Sequence, residues 1–93
     1  MWRAPYGSRD QRILKIVADA GWTVHVFWTA DALDWQDITP ERVKANINAK
    51  IGNGAIVLQH CGSPQTAAVL ADVIRDISSR GLGFATISEM LGT

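Results

Sequence analysis

The chain has 93 residues, enough for one domain with a thin core, since a chain of this size buries little more than about 60% of the surface its unfolded form exposes. Nine basic and nine acidic side chains cancel and only 19% of residues are charged, a balance that argues against nucleic acid or an anionic membrane as partner. The 47% of apolar residues lie in runs far shorter than a membrane span needs, no signal peptide is visible in "MWRAPYGSRDQR", and the single cysteine, Cys61, excludes an internal disulfide.

Pro5 and Gly7 in the opening "RAPYG" predict a sharp turn in which backbone can approach a ligand. Ser8 and Gln11 then read as a capping box, and Ile13, Leu14, Ile16, Val17 and Ala20 give a helix one apolar face that ends at Gly21. "TVHVFW", residues 23–28, is β-branched, aromatic and nearly all apolar, the pattern of a buried parallel strand. After the polar loop "TADALDWQDI", Thr39-Pro40 supplies an N-cap with proline at the first helical position. Val43, Ile47 and Ile51 recur every four residues until "GNG" stops the second helix.

Residues 55–60, "AIVLQH", form another expected strand. "CGSPQT" leads into a third helix with Ala67, Leu70, Ala71, Ile74 and Ile77 on one face, closed at Arg80-Gly81. Residues 84–87 read as a last short strand and "SEML" as a terminal helical turn. Alternating helices and strands define an α/β chain with parallel strands, in which chemistry gathers on the loops leaving the carboxyl ends of strands. Two loops qualify, one after Trp28 and one at His60.

Read alone, His60 is a strand-end histidine that suits proton transfer near neutral pH or simply forms a structural hydrogen bond. Asp31, Asp34 and Asp37 share a loop, and each is readable as a turn or capping carboxylate. Trp35 on that polar loop points to a ligand surface, whereas Trp22 and Trp28 read as core. His25, mid-strand, reads as a packed histidine. Cys61 reads as inert: neighbours on extended chain point to opposite sides, so it and His60 do not converge on one metal. "GNG" lacks the length of a phosphate loop.

Three segments carry a resemblance. Trp2-Arg3-Ala4-Pro5-Tyr6-Gly7, Asp31-Ala32-Leu33-Asp34-Trp35 and Ile56-Val57-Leu58-Gln59-His60 resemble, in order and spacing, the third, fourth and fifth motifs of the NodB-homology polysaccharide deacetylases, carbohydrate esterase family 4. The closing "GFATISEML" resembles the end of those domains. The resemblance spans residues 1–93 and implies the C-terminal portion of such a domain, about half of a distorted (β/α) barrel. It implies metal-dependent hydrolysis of N- or O-acetyl groups on chitin, peptidoglycan or xylan, outside the cytoplasm.

By the same resemblance His60 is the general acid for the leaving amine or alcohol, and Asp34 holds its imidazole and favours imidazolium. Trp35 and Leu58 line a pocket for the acetyl methyl group. Arg3 contacts the catalytic-base aspartate, and the backbone N–H of Tyr6 faces the developing oxyanion. Cys61 departs from the aspartate often found there. The first two family motifs, which bring the base and the Asp-His-His ligands of a divalent metal such as zinc, have no counterpart: His25 and His60 are the only histidines and no Asp-Asp pair occurs. The expectation is a chain that holds no metal cofactor and is inactive alone. Two further readings are a self-associating module, or one that pairs with a metal-bearing N-terminal half, and a metal-free remnant that binds carbohydrate through Trp35 and Tyr6.

Overall fold

Side-chain oxygens placed to accept from free backbone N–H groups set the start of the α-helices in the computed structural model, which describes residues 1–92. Helix α1 (Gln11–Asp19) starts where Ile13 N–H donates to Asp10 Oδ1 at 2.8 Å. Asp10 is therefore the cap that the sequence reading assigned to Ser8; Ser8 N–H closes the preceding turn onto the Pro5 carbonyl at 3.1 Å. Thr39 caps α2 (Pro40–Asn48) through Arg42 N–H, and Ser63 caps α3 (Pro64–Ser79) through Thr66 N–H, each at 3.2 Å with proline next in line. A reciprocal Thr86–Glu89 capping box opens α4 (Ile87–Leu91).

Strands β1 (Ala30–Asp31) and β2 (Val57–Leu58) pair in parallel, Ala30 opposite Val57 and Asp31 opposite Leu58. Residues 23–28 are not the strand their composition predicts. They contribute one parallel bridge, His25 with Trp2, held by Trp2 N–H to the Val24 carbonyl at 2.9 Å and Val26 N–H to the Trp2 carbonyl at 2.7 Å. Strand composition reports fitness for a half-buried pleat, and a ladder forms only where a neighbour supplies the other half. Residues 84–87 likewise form no strand: Phe84 is 60% exposed and Ile87 already belongs to α4.

The core lies between α2 and α3 and beneath β1, where Val43 and Ile47 meet Val69, Val73, Ile77 and Ala32. Of the α3 face expected to be buried, only Ile77 is; Leu70, Ile74, Ala67 and Ala71 are exposed, and Thr66, Val69 and Val73 take their place. α1 buries no residue, and Trp22 is exposed rather than core. His25 is half-buried, its ring edge-on to Trp2 at 4.4 Å.

Candidate active site

β1 and β2 run in the same direction, so the loops that follow them emerge at the same carboxyl edge. After β1 the Asp31 carboxylate accepts from Leu33 N–H at 2.9 Å. Leu33 takes the left-handed conformation at φ +54°, an uncommon one for a leucine that turns the next residue inward. That residue is Asp34, 3% exposed. Its Oδ1 meets His60 Nδ1 at 2.7 Å, while Oδ2 accepts from His60 N–H at 2.8 Å and from the Thr66 hydroxyl at 2.6 Å. Ser63 Oγ stands 3.1 Å from the Asp34 carbonyl, so the start of α3 also holds the loop's backbone.

Burial by itself pushes the Asp34 carboxyl up, because it disfavours the charged form. The donors from Thr66 and from the His60 backbone, with the nearby imidazole, outweigh that effect and hold it below the usual carboxylate range. An ionised carboxylate only accepts hydrogen bonds, so His60 Nδ1 must be the donor, which leaves Nε2 as the nitrogen free for a ligand. The His60 side chain is 44% exposed while that of Asp34 is fully enclosed.

A cleft of about 730 Å³ opens at this edge, and Arg3, Tyr6, Trp35, Leu58 and His60 line it together with Trp28 and Asp31. Asp34 lies behind His60, bordering an adjoining hollow that Asp37 and Cys61 also line. Tyr6 is fully exposed in a left-handed conformation at φ +58°, and its N–H takes no part in the turn's two hydrogen bonds, Gly7 to Ala4 and Ser8 to Pro5. Among the described residues Arg3 has no carboxylate at ion-pair distance. Trp35 is 65% exposed and Leu58 buried, so the two offer one open and one enclosed apolar surface to the cleft.

Sequence reasoning missed Thr66 and Ser63. Ser63-Pro64 carries an N-cap signature, but nothing in the chain's pattern marks a helical threonine as a partner of a carboxylate 32 positions away. No group of three or more His, Cys, Asp or Glu side chains among the described residues could hold a metal ion. A catalytic zinc needs about three protein ligands, so the donor set of the described residues does not fit one.

No protein-family model matches the chain. It is 34% identical over 91 residues to the uncharacterized protein YlxY of Bacillus subtilis, covering 97% of this chain and 28% of YlxY. It is 32% identical over 95 residues to a peptidoglycan-N-acetylglucosamine deacetylase of Bacillus cereus, covering 98% and 45%. Chitin deacetylase 1 of Saccharomyces cerevisiae is 35% identical over 98 residues, covering 98% and 31%. The chain thus spans less than half the length of these relatives. Among solved structures, a carbohydrate esterase family 4 pseudoenzyme of Bacillus anthracis superposes with a TM-score of 0.84 at 31% identity, over 96% of this chain and 31% of its own.

A parallel-stranded α/β unit with a carboxylate–imidazole pair at its carboxyl edge is thus similar, over nearly its whole length, to part of the polysaccharide deacetylases of carbohydrate esterase family 4. The family includes both deacetylases and the pseudoenzyme, a mutant of which has restored enzymatic activity.

Proposed function

We propose that residues 1–93 supply the proton-donating and acetyl-binding part of a polysaccharide deacetylase site, in the C-terminal half of a distorted (β/α) barrel. The site acts on N- or O-acetyl groups of a chitin-like or cell-wall glycan. The observation that carries this reading is the buried Asp34 carboxylate set against the partly exposed His60 at the mouth of a cleft that Arg3, Tyr6, Trp35 and Leu58 also line. His60 delivers a proton from Nε2 to the departing nitrogen or oxygen, and Asp34 stabilises the imidazolium that precedes the transfer. Trp35 and Leu58 enclose the acetyl methyl group. The Tyr6 N–H is aimed at the oxyanion, and Arg3 is held for a carboxylate that this chain does not provide.

The attacking water and its activating groups come from outside these residues, so the chain alone releases no acetate and needs a metal-bearing N-terminal half. The test is acetate release from chitooligosaccharides and acetylated peptidoglycan, by the chain alone and after mixing with the N-terminal half of a related domain. Activity in the mixture that falls at least 100-fold in His60→Ala supports the reading; unchanged activity in that variant overturns it. Stoichiometric zinc in the chain alone, with chelator-sensitive acetate release, overturns the division of labour.

A second reading is a non-catalytic glycan-binding module, favoured by the exposure of Trp35 and Tyr6 beside the cleft. Binding of chitooligosaccharide that is lost in Trp35→Ala, with no hydrolysis in any mixture, would select it.

A further inference from the structure

Asp34 divides its two carboxylate oxygens unequally. Oδ1 is left to the imidazole at 2.7 Å, whereas Oδ2 receives both the His60 N–H at 2.8 Å and the Thr66 hydroxyl at 2.6 Å. We propose that Thr66 is a positioning residue for the acid: its hydroxyl fixes the rotation of the Asp34 carboxylate that keeps the His60 proton on Nδ1 and leaves Nε2 as the working nitrogen. This rests on the reading of His60 as the proton donor, and it extends the site to a residue on the first turn of α3.

The surroundings of Thr66 make its hydroxyl a fixed donor. A helical threonine commonly turns its hydroxyl to the carbonyl of the preceding turn; here it is directed to Asp34 instead. Thr66 is 8% exposed, so water has little access to take over the bond. Its N–H donates to Ser63 Oγ at 3.2 Å, Ser63 Oγ also stands 3.1 Å from the Asp34 carbonyl, and Gln65 Nε2 donates to the Gln36 carbonyl at 3.2 Å. The start of α3 is therefore pinned to the loop that carries Asp34, and the β-branched side chain adds a stiff χ1.

The ionisable neighbours do not duplicate this bond. Asp31 accepts from Leu33 N–H, Asp37 and Cys61 line the adjoining hollow, and Arg3 lines the cleft with His60. The first turn of α3 carries no acidic residue, and α2 sends the uncharged Asn46 amide to the Ala32 carbonyl.

Nitrogen-15 NMR of the 93-residue chain tests the proposal without any assay of activity. In the wild type, neutral His60 carries its proton on Nδ1. Thr66→Val keeps the shape and removes the donor, so the Nδ1–H form loses its predominance to a mixture with Nε2–H, and the Asp34 titration moves up. Thr66→Ser restores both. A merely structural threonine would lower the melting temperature and leave the tautomer alone. A Thr66→Val chain that is folded by circular dichroism with tautomer and Asp34 titration unchanged overturns the proposal. Should Thr66→Val fail to fold, Thr66→Ala decides: a folded chain in which the Nδ1–H form loses its predominance supports the proposal, and an unchanged tautomer overturns it. Failure of the acetate assay would overturn the deacetylase reading while leaving this control of His60 standing.

Discussion

At Asp34 a buried charge is held by three donors, and its stability contribution therefore has an acid edge. The folded-state carboxyl lies below its unfolded value of about 3.9, so the stabilisation is fully present above that value and is lost as pH falls through the folded value. Thermal melts should show the midpoint dropping below about pH 4, with a shallower drop in Asp34→Asn. At neutral pH that variant should lose about 1–3 kcal/mol, because a carboxamide has one acceptor oxygen for the donors that two now serve. Gly7 is a second exacting position. Its φ is +69°, and a Cβ there would lie 2.6 Å from Cη2 of Trp28, a ring itself stacked on Phe27 at 3.9 Å. Gly7→Ala should cost about 1–3 kcal/mol in denaturant titrations. Of the three loop aspartates, residue type and position in a polar loop single out none, and only the resemblance points to Asp34. The structure separates them by contact: Asp31 closes a turn, Asp37 stays exposed, and Asp34 is enclosed. Thr66 left no sequence trace, because its role depends on a loop brought against α3 only by folding.

The helices were legible because their boundaries are local chemistry. Thr39-Pro40 and Gly81 punctuate the chain whatever lies beyond it, whereas α2 ends at Asn48, before Ile51 and the glycines at 52 and 54 expected to stop it. Which face each helix buries was less so. α3 is apolar on two sides, Val69-Val73-Ile77 and Leu70-Ile74, and periodicity cannot choose between stripes one residue apart. Proximity to α2 makes the choice, and it yields a direct test. Ile47→Ala, fully buried near the C-terminal end of α2, should cost about 2–5 kcal/mol. Ile74→Ala, on the open side of α3, should stay within about 0.5 kcal/mol. Equilibrium unfolding of both variants measures the contrast, and a large loss at Ile74 would mean that this face is covered in solution. The strand at 23–28 was misjudged for a related reason: its apolar run is that of a strand flanked on both sides, and among the described residues Trp2 alone pairs with it.

Across the whole molecule, surface and shape agree that too much is uncovered. A folded chain of 10.1 kDa ordinarily exposes about 5,300 Å², whereas this one exposes 6420 Å². Its radius of gyration is 14.9 Å, against about 12 Å for a compact domain of this length. The excess of roughly 1,100 Å² exceeds the roughly 800 Å² that each partner contributes to a standard protein interface. Much of the open surface is apolar: the α3 stripe at Leu70 and Ile74, Ile16 on α1, and Phe84, Met90 and Leu91 near the C-terminus. Exposed apolar side chains in this number on a small chain favour association, and the 19% of charged residues gives little net repulsion to oppose it, since the charges cancel. The isolated chain should therefore elute in size exclusion with light scattering at a mass above 10.1 kDa that rises with concentration. On the proposed pairing, adding the N-terminal half of a related domain should cover these faces and reduce that mass toward a one-to-one complex. A monodisperse monomer at high concentration, with a sharp unfolding transition above 90 °C, would show instead that the thin α2–α3 core suffices and that the open faces need no partner.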